Sequence, residues 1–314
     1  MKSVSIVMPM FNESESILAS LARIEKAVDG LPYEFEVVAV NDGSRDDTLQ
    51  KLQQYKPAKL CLRIIDLSRN FGKEAAMTAG MEYARGDAVI PMDADLQDPP
   101  ELMAALISEW EKGFEVVLAK RQDRQSDSLL KRTTARWFYR FINRLSEIKI
   151  PEDVGDFRLM DRVVVDVIRQ LPENHRFMKG LFAWAGFRTT TIDYVRPRRV
   201  QGETKFNGWK LWNLALEGIT SFSTVPLRIW TYMGFLVSGI AFLYGAYIIF
   251  DTLFHGNSVP GYPSLLSVIL FLSGIQIAGM GILGEYMGRA YLETKRRPVF
   301  VARSVSEILP EAKN

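Results

Sequence analysis

Two carboxylates, Asp93 and Asp95, stand two residues apart directly after the apolar run Ala88-Val89-Ile90-Pro91-Met92. A short buried strand ending there carries both acids to its C-terminal edge, where open α/β sheets bind ligands. Oxygen ligands suit a hard divalent cation, and Mg2+ or Mn2+ held by one or two carboxylates commonly completes its shell with substrate phosphates. The residue types therefore point to metal-assisted chemistry on a diphosphate-bearing substrate. The same stretch also reads as a helix start, because Asp98 suits an N-cap, Pro99 the first helical position, and Glu101 follows the cap by three residues.

Such a pair needs a scaffold, and the first ninety residues alternate strand and helix patterns. Val4–Pro9, Phe35–Val40, Cys61–Leu67 and Ala88–Met92 read as strands. Ser14–Val28, a segment capped by Ser44 and running to Gln54, and Lys73–Ala84 behind Gly72 read as helices. Near-continuous apolar strands separated by helices argue for an α/β fold whose parallel sheet is covered on both faces. Polar residues gather where successive strands end, at Asn12-Glu13, Asn41-Asp42-Gly43-Ser44 and Asp93-Ala94-Asp95. Parallel strands end on one rim, so these residues are expected to share a site.

With 314 residues, a net charge of +2 and no Lys/Arg-rich arm, the chain does not suit nucleic acid as a partner. The single cysteine, Cys61, lies in an apolar run and excludes both an intrachain disulfide framework and a cysteine metal site. His175 and His255 have no metal-ligand spacing, and the apolar run Val4–Met10 is too short for a signal peptide. A mean hydropathy of −0.02 hides a split between a mixed N-terminal part and two uncharged segments. Ile229–Phe250 and Ser264–Leu283 would span roughly 33 and 30 Å as helices, matching a hydrocarbon core of about 30 Å. Two buried helices of a soluble core are the alternative. Arg196, Arg198, Arg199, Lys205, Lys210 and Arg228 precede the first segment, and Arg289, Lys295, Arg296 and Arg297 follow the second. The connection Asp251–Pro263 carries neither Lys nor Arg, which predicts both termini on the cytoplasmic side and the connection outside. Gly274, Gly279, Gly281, Gly284 and Gly288 predict close packing of the second helix, within the hairpin or between subunits.

Pro9-Met10-Phe11-Asn12-Glu13, Asn41-Asp42-Gly43-Ser44, Arg69-Asn70-Phe71-Gly72-Lys73 and Asp93-Ala94-Asp95-Leu96-Gln97-Asp98-Pro99 resemble the landmarks of glycosyltransferase family 2. Gly155-Asp156-Phe157-Arg158-Leu159-Met160 and Gly202-Glu203-Thr204-Lys205-Phe206 follow in the matching order. With its two apolar segments and Gly284-Glu285-Tyr286-Met287-Gly288-Arg289, the whole chain is similar to the polyisoprenyl-phosphate glycosyltransferases. Within them it looks nearest to the bactoprenol (undecaprenyl phosphate) glucosyltransferases, on the stretch from Phe206-Asn207-Gly208-Trp209-Lys210 to Arg228-Ile229-Trp230-Thr231-Tyr232. The resemblance implies a GT-A domain, Rossmann-like with a mostly parallel sheet, over 1–205. It implies an interfacial amphipathic helix over 206–228, a transmembrane hairpin over 229–283 and a cytoplasmic tail over 284–314.

Site roles follow from the same resemblance. Asp42 is expected at the nucleobase edge, with Pro9, Asn12 and Glu13 lining its pocket, and Asp93 at the ribose or sugar. Asp95 and Gln97, with Asp93 beside them, are expected to hold Mg2+ or Mn2+ against the donor diphosphate, where a cation stabilises the departing group. Lys73 is a phosphate or nucleobase contact, or else a solvated first-turn lysine. Asp156 occupies the position of a base, but a lipid phosphate with a second pKa of about 6 is already largely ionised at neutral pH. Orienting the sugar or neighbouring cations is its other reading. Direct displacement predicts inversion at the sugar.

An anionic acceptor needs cations. Lys120, Arg121 and Arg124 follow the strand-like run Val116–Ala119. Arg132, Arg136, Arg140 and Arg144 recur every four residues with Trp137, Phe138 and Phe141 between them. That pattern reads as a basic amphipathic helix at a membrane surface, or as a solvated face over core aromatics. Arg121, Arg124, Arg132, Arg136, Arg158 and Lys205 are the candidate acceptor-phosphate contacts. The Gln-x-x-Arg-Trp motif of processive synthases is missing, since Thr133 precedes Arg136-Trp137. The activity that the resemblance implies is transfer of one glucose from UDP-glucose to undecaprenyl phosphate at the cytoplasmic face of the inner membrane, for O-antigen or other surface glucosylation. A homotetramer, a separate flippase and a polymer glycosyltransferase are the expected partners. Another donor (4-amino-4-deoxy-arabinose, mannose or N-acetylhexosamine) and a non-catalytic nucleotide-sugar-binding scaffold are the alternatives.

Overall fold

The computed structural model describes residues 1–95, 97–122, 154–174, 176, 178–194, 225–255 and 261–310. Four apolar runs become adjacent parallel strands: β1 (Ser3–Met10), β2 (Glu34–Asn41), β3 (Cys61–Leu67) and β4 (Ala88–Pro91). They form the middle of an eight-stranded sheet completed by β5 (Val116–Arg121), β6 (Val154–Asp161), β7 (Thr189–Tyr194) and β8 (Ala302–Ile308). The order is β7-β5-β6-β4-β1-β2-β3-β8, with β6 and β8 antiparallel to their neighbours. This is the mostly parallel GT-A-like sheet the sequence predicts.

Helices cover both faces because the strands are apolar on both. Ile17, Leu21 and Ile24 of α1 (Ile17–Val28) and Met103, Leu106, Ile107 and Trp110 of α4 (Met103–Glu111) pack on Ile6, Met8 and Val37. Each such buried aliphatic side chain contributes on the order of 1.5–3 kcal/mol relative to exposure. On the other face, α3 (Lys73–Tyr83), α5 (Arg162–Gln170) and α6 (Met178–Trp184) bring Met77, Val164, Ile168 and Leu181 against Val7, Val38 and Ile65. The remaining short helix, α2 (Thr48–Gln54), follows β2.

Some local expectations change. Ser44 does not cap α2, which starts behind Asp47; the Ser44 Oγ instead accepts the Asn12 N–H at 3.0 Å. The helix expected behind Asp98 starts one residue later, with Pro99 and not Asp98 at its N-cap. The first turn is a 3-10 segment, Pro100–Leu102, and Asp98 accepts the Tyr194 hydroxyl at 3.3 Å.

Two long helices, α7 (Val225–His255) and α8 (Tyr262–Thr294), follow. Among the described residues, Ile229–Ile248 is long and apolar enough to cross a membrane, with a mean hydropathy of 1.4 and none of it buried within the chain. The two helices approach closely at Gly279, where a Cβ would lie 1.8 Å from Trp230 Nε1. The stretch after residue 283, drawn from sequence as a tail, first continues α8 to Thr294 and then returns to the sheet as β8 beside β3. The Glu293 carboxylate also accepts the Asn174 N–H, at 2.9 and 3.1 Å, so the end of α8 and the chain beyond it are tied to the sheet and its flanking helices at two places.

Candidate active site

Because β1, β2 and β4 run parallel, Met10, Asn41 and Pro91 end on one rim. Asn12 adopts a left-handed backbone (φ 56°), and its side-chain oxygen accepts the Arg45 N–H at 2.9 Å. The Glu13 N–H donates to Thr48 Oγ1 at 2.9 Å, while its carboxylate accepts the Ser16 hydroxyl. These bonds join the loop after β1 to the loop after β2. Pro9 lies half-buried in β1 opposite Val40.

Asp42 is 3% exposed, and its two oxygens accept the Phe71 and Gly72 N–H groups at 2.7 and 2.9 Å. Burial raises its pKa, and the two N–H donors only partly oppose that. In this arrangement Asp42 shapes the loop that opens α3 at Lys73. Gly43 makes the approach possible: its φ is +63°, and a Cβ there would lie 2.5 Å from the Arg69 carbonyl carbon.

Asp93 and Asp156 meet at Lys73. The ammonium is 2.6 Å from Asp93 Oδ1 and 2.7 Å from Asp156 Oδ2. Strand direction explains the encounter, because β6 is antiparallel to β4 and therefore brings its N-terminal residues to the rim where β4 ends. Burial pushes the Asp156 pKa up, but the charges of Lys73, Lys179 and Arg158 outweigh it and hold the carboxyl below its usual range. Burial lowers the Lys73 pKa, and the Asp93 and Asp156 carboxylates more than reverse that. Glu74, next along α3, is pushed up to about 7 by burial and by the Asp156 charge. Glu74 and Lys179 are neighbours of Asp156 that sequence reasoning missed. Nothing in local spacing relates 74, 156 and 179; only the packing of α3 and α6 around β6 brings them together.

Asp95 Oδ1 accepts the Gln97 N–H at 3.1 Å, an Asx-type turn that keeps the two residues side by side. The loop is anchored from below by the Ser20 hydroxyl, which donates to the Ala94 carbonyl at 2.8 Å. Among the described residues no three His, Cys, Asp or Glu side chains gather as a metal site. Asp93, Asp95 and Gln97 fit a hard cation only as a partial, all-oxygen set, of the kind that substrate phosphates complete.

Arg158 does not reach the rim as an acceptor-phosphate cation. It is 5% exposed, donates to the Gly155 and Asp156 carbonyls, and stacks on Phe182 at 4.3 Å. Its burial lowers its pKa to about 10. Arg121 ends β5 on the rim, with Nη2 3.5 Å from where a Gly155 Cβ would stand. Its Nε is buried without a hydrogen-bond partner among the described residues, an unmet donor beside the Asp156 loop. Arg124, Arg132, Arg136 and Lys205 lie outside the described residues. A cleft of about 440 Å³ lined by Arg63, Arg85, Arg169 and Glu307 lies at the β3–β8 edge, and none of the rim carboxylates lines it.

The family model for glycosyl transferase family 2 matches residues 5–169, and that for the GtrB C-terminal hairpin matches 225–290. The prophage bactoprenol glucosyl transferase homolog of Escherichia coli K12 is 52% identical over 304 residues, covering 97% of this chain and 99% of that protein. The bactoprenol glucosyl transferase of Shigella phage SfV is 53% identical, over 96% of this chain and 98% of its own. An uncharacterized glycosyltransferase of Synechocystis sp. is 50% identical, over 95% and 94%.

Proposed function

Since the chain belongs to glycosyltransferase family 2, we propose that it transfers one glucose from UDP-glucose to undecaprenyl phosphate, with inversion, at the cytoplasmic face of a bacterial inner membrane. The carrying observation is the convergence of Asp93, Asp156 and Lys73 on the carboxyl rim, in a chain whose apolar hairpin returns to that same sheet. The glucose and the bactoprenol carrier come from the names of relatives that match nearly end to end.

In this reading the donor lies over Pro9, Asn12, Glu13 and Asp42, with Asp93 at its ribose or sugar. Asp95, Gln97 and Asp93 would hold Mg2+ or Mn2+, which when bound neutralises charge on the leaving nucleoside diphosphate. Arg121, which ends β5 on the rim with its Nη2 beside Gly155, is proposed to receive the acceptor phosphate. Arg124, Arg132, Arg136 and Lys205 are proposed to extend that cationic surface toward the membrane. Asp156, paired to an ammonium and held below the usual carboxylate range, is an ionised orienting group and a poor base. None is needed, because the attacking phosphate is largely deprotonated at neutral pH.

The Lys/Arg asymmetry around the hairpin supports placing the catalytic domain and β8 on the cytoplasmic side of two spans. A homotetramer is proposed, with a separate flippase and polymer glycosyltransferase acting on the product. The test incubates purified protein with undecaprenyl phosphate, Mg2+ or Mn2+ and labelled nucleotide sugars, beside Asp95→Asn. Lipid-extractable label from UDP-glucose alone, lost in the variant, is expected. Label from another donor would replace the sugar, and no label from any donor would end the reading.

A further inference from the structure

We propose that Lys73 is a positioning residue: a fixed ammonium that sets the spacing of Asp93 and Asp156 and does not bind the donor phosphates. The assignment rests on the proposed transferase reading and goes beyond it in dividing the labour at the rim.

The position itself is the first argument. Lys73 is the first residue of α3, where the helix dipole favours anions and disfavours a lysine. The placement becomes favourable because two carboxylates meet the ammonium at 2.6 and 2.7 Å. These contacts occupy two of its three donors.

The origin of the two acids is the second. Asp93 follows β4 and belongs to the donor side of the rim, whereas Asp156 lies near the start of β6, beside Arg121 on the proposed acceptor side. One nitrogen bonded to both fixes the distance between the halves. Without it, two carboxylates face each other and repel. The Asp156 end is braced as well, since Arg158 holds the Gly155 and Asp156 carbonyls from behind. Drawing Lys73 onto a diphosphate would strip Asp156, whose side chain is only 17% exposed, of its closest counter-charge. A group that aligns donor and acceptor acts on the chemical step, where a displacement of about 1 Å can cost on the order of 100-fold in rate.

The experiment uses the full chain in lipid nanodiscs, as wild type, Lys73→Met, Lys73→Arg, Asp156→Asn and the Lys73→Met/Asp156→Asn double variant. Transfer from UDP-glucose to undecaprenyl phosphate gives kcat and KM, calorimetry gives the UDP-glucose Kd, and unfolding curves check the fold. Lys73→Met is expected to lower kcat on the order of 100-fold with the donor Kd within about threefold, and Lys73→Arg to recover most of the loss. On the Asp156→Asn background the same substitution should cost much less, because the paired side chains act together. A donor Kd weakened about tenfold or more with kcat preserved would make Lys73 a phosphate ligand and overturn the proposal. Additive losses in the double variant would overturn it too. Absence of label in wild type breaks the transferase reading alone, and Mn2+ titration without nucleotide then decides Lys73. Affinity should rise about tenfold in Lys73→Met, where the carboxylates lose their cation, and far less in the double variant. Unchanged affinity in Lys73→Met overturns the assignment.

Discussion

The sheet and the hairpin use the same kinds of side chain and treat them in opposite ways. Val4, Ile6, Val7 and Met8 of β1 have no exposed surface, whereas Phe235 and Phe242 of α7 are 74% and 77% exposed. In the sheet, removing apolar surface from water is the driving force, at roughly 25 cal/mol per Å². In the hairpin that surface has no partner among the described residues, and α7 meets α8 through a contact as small as Trp230 over Gly279. Apolar composition alone does not make a core. Where helices face hydrocarbon, association depends on close approach at small residues, so one misplaced methyl matters more there than a lost one.

A large expected effect in the hairpin breaks that contact. Any side chain at Gly279 starts with a Cβ 1.8–2.3 Å from the Trp230 indole, so Gly279→Val must displace the ring or splay the helices. A loss of about 3 kcal/mol, the upper end for overpacking, is expected. It should be read as a fall in the hairpin's melting temperature in detergent with UDP binding retained. Gly281→Val sharpens the comparison, because no atom stands within 4 Å of its would-be Cβ in the described chain. It should be neutral to within about 0.5 kcal/mol, helped by the poor helix propensity of glycine. A large loss there would mean that Gly281 faces another copy.

A smaller effect belongs to the catalytic half and depends on pH. Glu74 ionises near pH 4.5 in an unfolded chain and at about 7 in the fold, raised by burial and by Asp156. A carboxyl raised by folding stabilises the fold below its unfolded pKa, and that contribution disappears as the pH climbs through its folded value. At 1.36 kcal/mol per pKa unit, up to about 3 kcal/mol is lost between pH 4.5 and 7. Glu74→Gln keeps an acceptor for the Met178 N–H without the charge. Its melting temperature should exceed that of wild type at pH 8, with the advantage vanishing by pH 4.5. An advantage of the same size at both pH values would remove ionisation as its cause.

The same contrast governs what could be read in advance. Strands β1 to β4 were legible because parallel strands buried on both faces are apolar runs, and Cys61–Leu67 matches to the residue. The rim acids were legible because strand ends in a parallel sheet coincide. β8 was not: Ala302-Arg303-Ser304-Val305-Ser306-Glu307-Ile308 is half polar, and its partner lies some 240 residues earlier, so no local pattern announces it. β6 carries a recognisable motif but no strand pattern, because Gly155 and Asp156 interrupt it at the end that carries the chemistry. As a cation near Asp156, Arg158 reads from sequence as an acceptor contact. Its direction is set by Phe182 and by two backbone carbonyls, partners that come from the tertiary fold. Lys73 was visible as a candidate contact, but its pairing with residues 93 and 156 needs the antiparallel turn of β6.

The smallest prediction asks how much surface charge adds to the well-packed half. Arg23 of α1 donates Nε and Nη2 to the two oxygens of Glu101, both at 2.9 Å, joining that helix to the 3-10 turn behind the Asp95 loop. The fork geometry is the favourable one for arginine and carboxylate. Both side chains are nonetheless in contact with water, and pairs of that kind are worth about 0.2–1 kcal/mol because solvation and side-chain entropy offset the attraction. Beneath them, Leu21 and Ile24 of the same helix are fully buried. Arg23→Ala should therefore lower stability by about 0.5 kcal/mol, shrinking further in high salt, whereas Leu21→Ala should cost about 2–5 kcal/mol. Acid should erase the Arg23 effect, because the hydrogen bonds from Arg23 hold Glu101 below its usual pKa and are lost once the carboxyl is protonated. An Arg23→Ala loss as large as that of Leu21→Ala, and insensitive to salt, would mean that this corner of the domain is held by charge and not by its core.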